Sequence, residues 1–251
     1  MTANEAPLGT PARHWCGGDP FETRFLEAMS LLAPEMERFL IAAVRAGLAC
    51  PGGERMAVAG TAFMREEAAH SLEHHRFNRR LAAQGIDLDA ALAGVRRLSA
   101  WARRWSSPGL QLAVSAACEH LSAIVSLAYL RSAARVRIEA PEVERLFASH
   151  ARDEIAHRAV VFDVMRAVGG GGWLVRALAL TGVSLVAFVH AARLVIALLA
   201  REYGGRRRAL MWRHVGAGLL GMTRWGSLPA MLGHWLMYLR PGFHPRMLPE
   251  C

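Results

Sequence analysis

Apolar residues recur every three or four positions along most of this chain, which is the spacing of one face of a helix. No run of alternating apolar and polar residues is long enough to predict a sheet, so the pattern predicts an all-α fold. Four long helices and one shorter segment are expected before the run Gly169–Gly172. Their predicted ranges are 21–48 with a bend at Pro34, 55–84, the shorter 87–105, 108 to about 137, and 141 to about 167.

The chain changes character at the run Gly169–Gly172, which marks its clearest boundary. Beyond this run we expect an apolar helix at 173–201, a basic break at 204–208, one or two helices to about 239, and a proline-rich tail. The predicted parts are a flexible N-terminus at 1–20, a four-helix bundle at 21–167, and an apolar, basic helical region at 173–251. The last part is expected to pack on the bundle or to associate with a membrane.

The helices before the glycine run form two hairpins with parallel contents. The first hairpin carries Glu37 and then Glu67-Ala-Ala-His70, and the second carries Glu119 and then Glu154-Ile-Ala-His157. The separations within the two hairpins are similar. This is a weak internal repeat in spacing rather than in overall sequence.

Each Glu-x-x-His motif places two metal-ligating side chains one turn apart on the same helix face. One copy is weak evidence, but two copies, each paired with a glutamate on the preceding helix, match the di-metal site of ferritin-like bundles. The sequence therefore predicts two divalent metal ions in a ferritin-like four-helix bundle. The six predicted ligands are Glu37, Glu67, His70, Glu119, Glu154 and His157.

A helical wheel places the motif glutamates on core faces. Glu67 shares an apolar stripe with Phe63, whereas Glu66 falls to the side, and Glu35 points away from the stripe of Glu37. Because a buried unpaired carboxylate costs several kcal/mol, carboxylates on facing apolar stripes require cations to compensate them. The alternative is a helical bundle whose Glu-x-x-His pairs are solvated charges.

Two further histidines lie one turn from the motifs. His74 follows His70 by four positions, and His150 precedes Glu154 by four, so both share the stripes of the predicted ligands. Each is either an additional metal ligand or a hydrogen-bond donor that orients a carboxylate. Other candidates for such an orienting role are Asp153, Glu73 and His120.

Length and composition narrow the class of protein. The chain has 251 residues, of which 53% are hydrophobic and 20% charged, and this excludes a disordered polypeptide. Its four cysteines show no zinc-binding spacing, which fits a reducing compartment. The first residues lack a charged start followed by an apolar run, so we expect no signal peptide and a cytoplasmic location.

The net charge of +9 is concentrated after residue 168, where ten arginines stand against two acidic residues. This region is also the most apolar, and it lacks the alternation of polar and aromatic residues typical of a nucleic-acid surface. The expected partner is therefore an anionic membrane at its inner face rather than nucleic acid. The segment 173–200 is open to three interpretations: a helix buried on the bundle, an interfacial helix, and a membrane span.

Several stretches resemble a bacterial family of predicted metal-dependent hydrolases with a ferritin-like helical domain. They are PEMERF at 34–39, FMREEAAHSLEHHRFN at 63–78, ACEHLSAI at 117–124, SHARDEIAHRAVVFDV at 149–164 and YLRPGFHP at 238–245. The resemblance spans nearly the whole chain and implies the six ligand positions given above, with His74 and His150 as extra motif histidines. The chain departs from the family pattern at Met36 and Asp153, neither of which is a predicted primary ligand.

Mixed carboxylate and imidazole ligands suit iron, with manganese as the alternative. The first hypothesis is a non-haem di-iron enzyme that uses dioxygen to oxidise or hydroxylate a small apolar substrate. The chain has no nucleotide, flavin or iron–sulfur motif, so an oxygenase of this kind needs an external reductase.

The second hypothesis is a two-metal hydrolase in which a bridging hydroxide attacks the substrate. The third is a non-enzymatic, membrane-associated metal-binding protein, and a homodimer is compatible with all three.

Overall fold

The structure, a computed structural model, describes residues 13–132, 137–224 and 227–249. In these ranges the chain forms α-helices and short 3₁₀ turns without a β-strand, so the predicted all-α fold is confirmed. The helices are α1 (Pro20–Leu48), α2 (Ala57–Ala83), α3 (Leu88–Trp105), α4 (Pro108–Ser132), α5 (Pro141–His157), α6 (Val160–Ala167), α7 (Trp173–Tyr203), α8 (Arg208–Arg224) and α9 (Ser227–Tyr238).

Predicted boundary residues act as expected at two places. The Ser107 hydroxyl accepts a hydrogen bond from the Leu110 amide, and Pro108 opens α4 directly after it. This side chain satisfies an N–H group that has no partner within the first turn of the helix. At the glycine run, Gly169 and Gly171 have φ values of 74° and 79°, which a residue without Cβ adopts most easily.

The predicted fourth helix at 141–167 is wrong in one respect, because it is two helices. α5 ends at His157 and α6 begins at Val160. The Arg158 guanidinium donates to the carbonyl oxygen of Ile155, which the Ala159 amide would bond in a continuous helix. A long side chain therefore replaces one backbone bond, and the helix ends there.

The end of the predicted third helix also differs from the structure. The described part of α4 ends at Ser132, and Arg137 lies outside a helix. The chain that follows is extended: Ile138 forms an isolated β-bridge with Cys16, and the amide of Glu139 donates to a carbonyl oxygen of the N-terminal segment. At residues 138 and 139, pairing with this segment takes the place of helical bonds.

The N-terminal segment, predicted to be flexible, is described only from residue 13, and residues 1–12 lie outside the described part. Trp15 and Cys16 are buried, and the Trp15 indole donates to the Glu27 carboxylate on α1 at 3.2 Å. The described portion therefore packs against the first helix.

Helices α1, α2, α4 and α5 pack around a common interior. α1 packs along both α2 and α4, α4 packs on α5, and α2 also contacts α5. Apolar side chains fill the interior beside the predicted ligands, including Leu40, Phe63, Leu112 and Val161. The ferritin-like arrangement of these helices stays a prediction.

The region after the glycine run forms a second layer over the bundle. α7 packs on both α1 and α4, α8 packs on α1, and α9 packs on α4. The buried Arg176 of α7 donates to the carbonyl oxygens of Tyr238, Arg240 and Pro241, and this ties the tail after α9 to the layer. Phe243 in the tail is buried as well.

Two helices, α4 and α7, are long and apolar enough to cross a membrane by length and composition. They differ in their surroundings, because 61% of the most apolar stretch of α4 is buried and only 22% of that of α7. α4 is thus largely a core helix. Only one face of α7 is buried against the bundle, and the rest of its apolar surface is exposed.

Candidate metal centre

All eight histidines and glutamates predicted as ligands or extra motif residues lie together between α1, α2, α4 and α5. Four overlapping sets of side chains each offer ligand atoms within 4.8 Å of one another. His157 belongs to none of these sets, but its Nδ1 lies 3.0 Å from Oε1 of Glu67, which does. The sets are Glu37, His74 and His150; His70, His150 and Glu154; Glu37, Glu67 and His70; and Glu67, Glu119 and Glu154.

The four glutamates of the centre are fully buried, with 0% of their surface exposed. Several polar atoms here have no hydrogen-bond partner, although such atoms normally find one because burying them unpaired costs free energy. They are both carboxylate oxygens of Glu119 and of Glu154, Glu37 Oε1, Glu67 Oε2, His70 Nδ1, His74 Nε2 and His150 Nδ1. Carboxylate oxygens and imidazole nitrogens together form a donor set for a divalent transition-metal ion. The residues present therefore fit the predicted cofactor.

The acidic residue that directly precedes each Glu-x-x-His motif contacts the histidine of the other motif. Asp153 Oδ2 on α5 lies 3.1 Å from Nε2 of His70 on α2, and Glu66 Oε2 on α2 lies 2.6 Å from Nε2 of His157 on α5. The side chains of Asp153 and Glu66 are half exposed, at 50% and 47%. Carboxylates in this position orient imidazole ligands and raise their basicity. The two hairpins, which repeat the same motif spacing in the sequence, therefore also make equivalent carboxylate–histidine contacts in the structure.

Sequence reasoning missed the role of Glu66, because the helical wheel places it beside the core stripe. An available signal was the acidic residue that directly precedes each motif glutamate, in Glu66-Glu67 and in Asp153-Glu154. The prediction that Asp153 orients a ligand agrees with its contact to His70.

The other orienting candidates lie elsewhere. Glu73 is exposed, and His120 Nε2 lies 3.1 Å from the backbone carbonyl oxygen of His234 on α9. A residue that the sequence did not single out, Ser71, donates its hydroxyl to Glu37 Oε2 at 2.5 Å. One oxygen of Glu37 is thereby fixed, while the other is left for a cation.

A family model described as "Predicted metal-dependent hydrolase" matches residues 5–248 of the chain. The chain belongs to this family. The match covers nearly the whole sequence, so the resemblance seen in its motifs is confirmed. Comparison with curated proteins and with solved structures gave no match.

In this member of the predicted metal-dependent hydrolases, burial controls the charge of the centre. Burial raises the pKa of Glu37 and of Glu119 well above the usual range, and repulsion from neighbouring carboxylates adds to the rise. Burial also lowers the pKa of His74 well below its usual value and that of His150 to about 3. Both imidazoles are therefore neutral at pH 7 and have a nitrogen lone pair for a metal.

His157 differs from the other two. Burial alone would lower its pKa, but hydrogen bonds to Glu67 and Glu66 outweigh burial and raise the pKa to about 9. A protonated His157 donates to both carboxylates and supplies one positive charge to the centre. A metal ion that binds Nδ1 of His157 must displace the proton on that nitrogen.

Proposed function

We propose that this protein is a metal-dependent hydrolase that holds two divalent ions between its two helical hairpins. The observation that carries the proposal is the buried cluster of four glutamates with unbonded oxygens, in a chain that belongs to a family of predicted metal-dependent hydrolases. The substrate class that fits such a centre is an ester, amide or phosphoryl compound, whose developing oxyanion the cations stabilise.

The residues that would hold the ions are the six predicted ligands, together with His74 and His150. When bound, divalent ions of this kind lower the pKa of water and supply positive charge to the reacting oxygen. The surrounding residues keep the ligands in place: Asp153 and Glu66 fix the outer nitrogens of the motif histidines, and Ser71 fixes one oxygen of Glu37.

Glu66 and His157 are also placed to handle a proton. Their hydrogen bond of 2.6 Å joins a half-exposed carboxylate to a nearly buried imidazole. A proton at His157 Nε2 therefore lies between the buried carboxylates and solvent, which suits proton exchange during turnover.

The test is turnover of activated carboxylic and phosphoric esters by protein reconstituted with iron, manganese or zinc, in air and under anaerobic conditions. We expect hydrolysis that needs metal and does not depend on dioxygen. Glu119→Gln should abolish it, because an amide is a poor ligand for these ions. Glu73→Gln, an exposed glutamate on α2, is the control and should retain activity. Metal-loaded protein without turnover of any such ester would contradict the proposal.

The second candidate is the di-iron enzyme that oxidises or hydroxylates a small apolar substrate with dioxygen. The same carboxylate and imidazole set suits iron, and small apolar residues such as Ala116 and Ala123 are buried on α4 near Glu119. In this case reduced, iron-loaded protein should consume dioxygen, and turnover should require an external reductant. A metal-bound protein that shows neither reaction fits the third hypothesis, non-enzymatic metal binding.

A further inference from the structure

Helix α7 exposes a continuous apolar stripe on the side away from the bundle. Leu174, Leu178, Leu185 and Phe188 follow one another at helical spacing, and each is more than half exposed. Leu198, near the other end of the helix, is buried, and so is Arg176 near the beginning. α7 therefore packs on the rest of the protein near both of its ends, and its apolar outer face is uncovered.

The neighbouring helices of the same layer show the same pattern. α8 exposes Trp212 and Leu219, and α9 exposes Leu228, Leu232 and Leu236 at four-residue spacing. Contiguous apolar surface of this kind is rare on soluble monomers and marks an interaction site.

The charge of the layer identifies the partner that it fits. Exposed arginines accompany the apolar stripes, among them Arg193, Arg207, Arg208 and Arg213. Between residues 168 and 249 the one acidic residue is Glu202, whose side chain is 7% exposed and is paired with Arg24. Within the described part of the layer, no exposed acidic residue of the layer itself therefore balances these arginines. A second copy would bring arginines against arginines, whereas an anionic lipid surface complements them.

We propose that the outer face of α7, α8 and α9 docks on the surface of an anionic phospholipid bilayer. The apolar stripes enter the boundary between headgroups and acyl chains, and the arginines contact lipid phosphates. α7 does not cross the bilayer, because residues near both of its ends are packed on the rest of the protein.

The test is co-sedimentation of the full chain with vesicles of phosphatidylcholine alone or mixed with phosphatidylserine. We expect binding to the anionic vesicles that weakens as salt is added. Arg207→Gln with Arg208→Gln should weaken it by about 30-fold, because each basic residue near an anionic surface contributes about fivefold.

The apolar part of the surface is tested by Phe188→Gln with Leu178→Gln, which should weaken binding to anionic vesicles. Leu72→Gln, an exposed leucine on α2 outside the layer, is the control. Absence of binding to anionic vesicles, or an equal loss in the control, would overturn the proposal. So would a dimer in light scattering that Phe188→Gln dissociates, because the face would then be an interface between copies.

A second inference rests on a different observation, the proline inside α1. Pro34 has no N–H group, so the carbonyl oxygen of Ser30, four residues earlier, lacks its helical partner. The Asn78 amide on α2 donates Nδ2 to this oxygen at 2.7 Å. This contact fixes the orientation of the amide, because the reverse orientation would place two carbonyl oxygens against each other.

The fixed orientation of the Asn78 amide determines which atom carries the proton in each hydrogen bond that links Asn78, Ser30 and His74. Asn78 Oδ1 must accept, so the Ser30 hydroxyl donates to it at 2.8 Å. The Ser30 oxygen in turn accepts from His74 Nδ1, at 2.8 Å. The proton of a neutral His74 is thus on Nδ1, and its Nε2 lone pair is free. That nitrogen is buried without a hydrogen-bond partner, and His74 offers a ligand atom within 4.8 Å of ligand atoms of Glu37 and His150.

We infer that Pro34, Ser30 and Asn78 are positioning residues that present His74 to the metal centre through Nε2. This inference rests on metal binding by the proposed centre and not on the reaction that the centre catalyses. Loss of a hydrogen-bond partner of a metal ligand lowers metal affinity by about 10- to 100-fold.

The test is metal affinity, measured by competition with a chromogenic chelator, together with the optical spectrum of cobalt-substituted protein. We expect Ser30→Ala to lower affinity by about 10- to 100-fold and to alter the cobalt spectrum, and Ser30→Thr, which keeps a hydroxyl, to restore both. Combining Ser30→Ala with His74→Ala should lower affinity no further than His74→Ala alone. The control is Ser132→Ala, a buried serine that bonds only within its own helix.

Unchanged affinity and spectrum in folded Ser30→Ala protein would overturn the inference, and so would nitrogen NMR of the wild-type protein that finds the His74 proton on Nε2. The NMR measurement needs no variant, so it decides the question even if Ser30→Ala does not fold. Wild-type protein that binds no metal would instead contradict the proposed function.

Discussion

Wild-type protein purified without oxygen should carry about two transition-metal ions per chain, and Glu67→Gln or Glu154→Gln should carry less than one. Both glutamates are fully buried, and each belongs to two of the overlapping sets of ligand atoms. Replacing either carboxylate by an amide therefore weakens both proposed ion positions at once. Elemental analysis of the purified proteins by mass spectrometry measures the effect.

Matched controls are available on the same helices. Glu73 on α2 and Glu144 on α5 are exposed, so Glu73→Gln and Glu144→Gln make the same chemical change outside the centre. Both controls should keep the wild-type metal content. Full metal in Glu67→Gln and Glu154→Gln would show that these residues are not ligands.

Removal of the metal should make the stability of the protein fall as the pH rises. Burial raises the pKa of Glu37 and Glu119 in the folded state, so the folded protein binds more protons than the unfolded one. This stability is fully present below the ordinary pKa of glutamate and is lost as the pH rises through the folded pKa values. His157, with a pKa of about 9, acts in the same direction between pH 6.5 and 9.

Bound metal should remove most of this pH dependence, because the ions replace the protons as counter-charges. At a free metal concentration of 1,000 times Kd, binding stabilises the folded state by about 4 kcal/mol. For a chain of this size that corresponds to a rise in Tm of about 10 °C. Thermal unfolding followed by circular dichroism between pH 7 and 9, with metal or with chelator, measures the difference.

The control for this prediction is metal-free Glu119→Gln, whose amide cannot ionise. Its stability should fall less steeply with pH than that of metal-free wild-type protein. Parallel pH profiles for metal-free and metal-loaded wild-type protein would contradict the prediction. Calorimetric titration with metal in two buffers should also show proton release, since the ions displace protons from the carboxylates and from His157.

The helices and the cluster of candidate ligands could be predicted from the sequence because both follow from helical periodicity. Apolar stripes turn inward, and a Glu-x-x-His motif centred on such a stripe must bring its side chains inside. Glu35 likewise lies away from the centre, as the helical wheel predicts, and accepts a hydrogen bond from Arg96 at 2.7 Å. Whether His74 and His150 are ligands stays a prediction.

Other features depend on single long side chains, which a helical wheel treats as short and radial. Glu66 lies beside the stripe but reaches His157, and Arg158 ends α5 by bonding a carbonyl oxygen of the preceding turn. The contact of Asn78 with Ser30 joins two helices, so no pattern within one helix shows it. The helical periodicity of α7 also does not show which of its two apolar faces packs on the bundle and which stays exposed.

The half-exposed carboxylates of Glu66 and Asp153 have a consequence for the speed of metal exchange. They are bonded to the outer nitrogens of His157 and His70, where the centre meets solvent. Because these carboxylates are half exposed while the glutamates of the centre are fully buried, we expect an ion to pass them as it enters and leaves. Protein that lacks one of the two carboxylates should therefore exchange its ions with chelators on a different timescale.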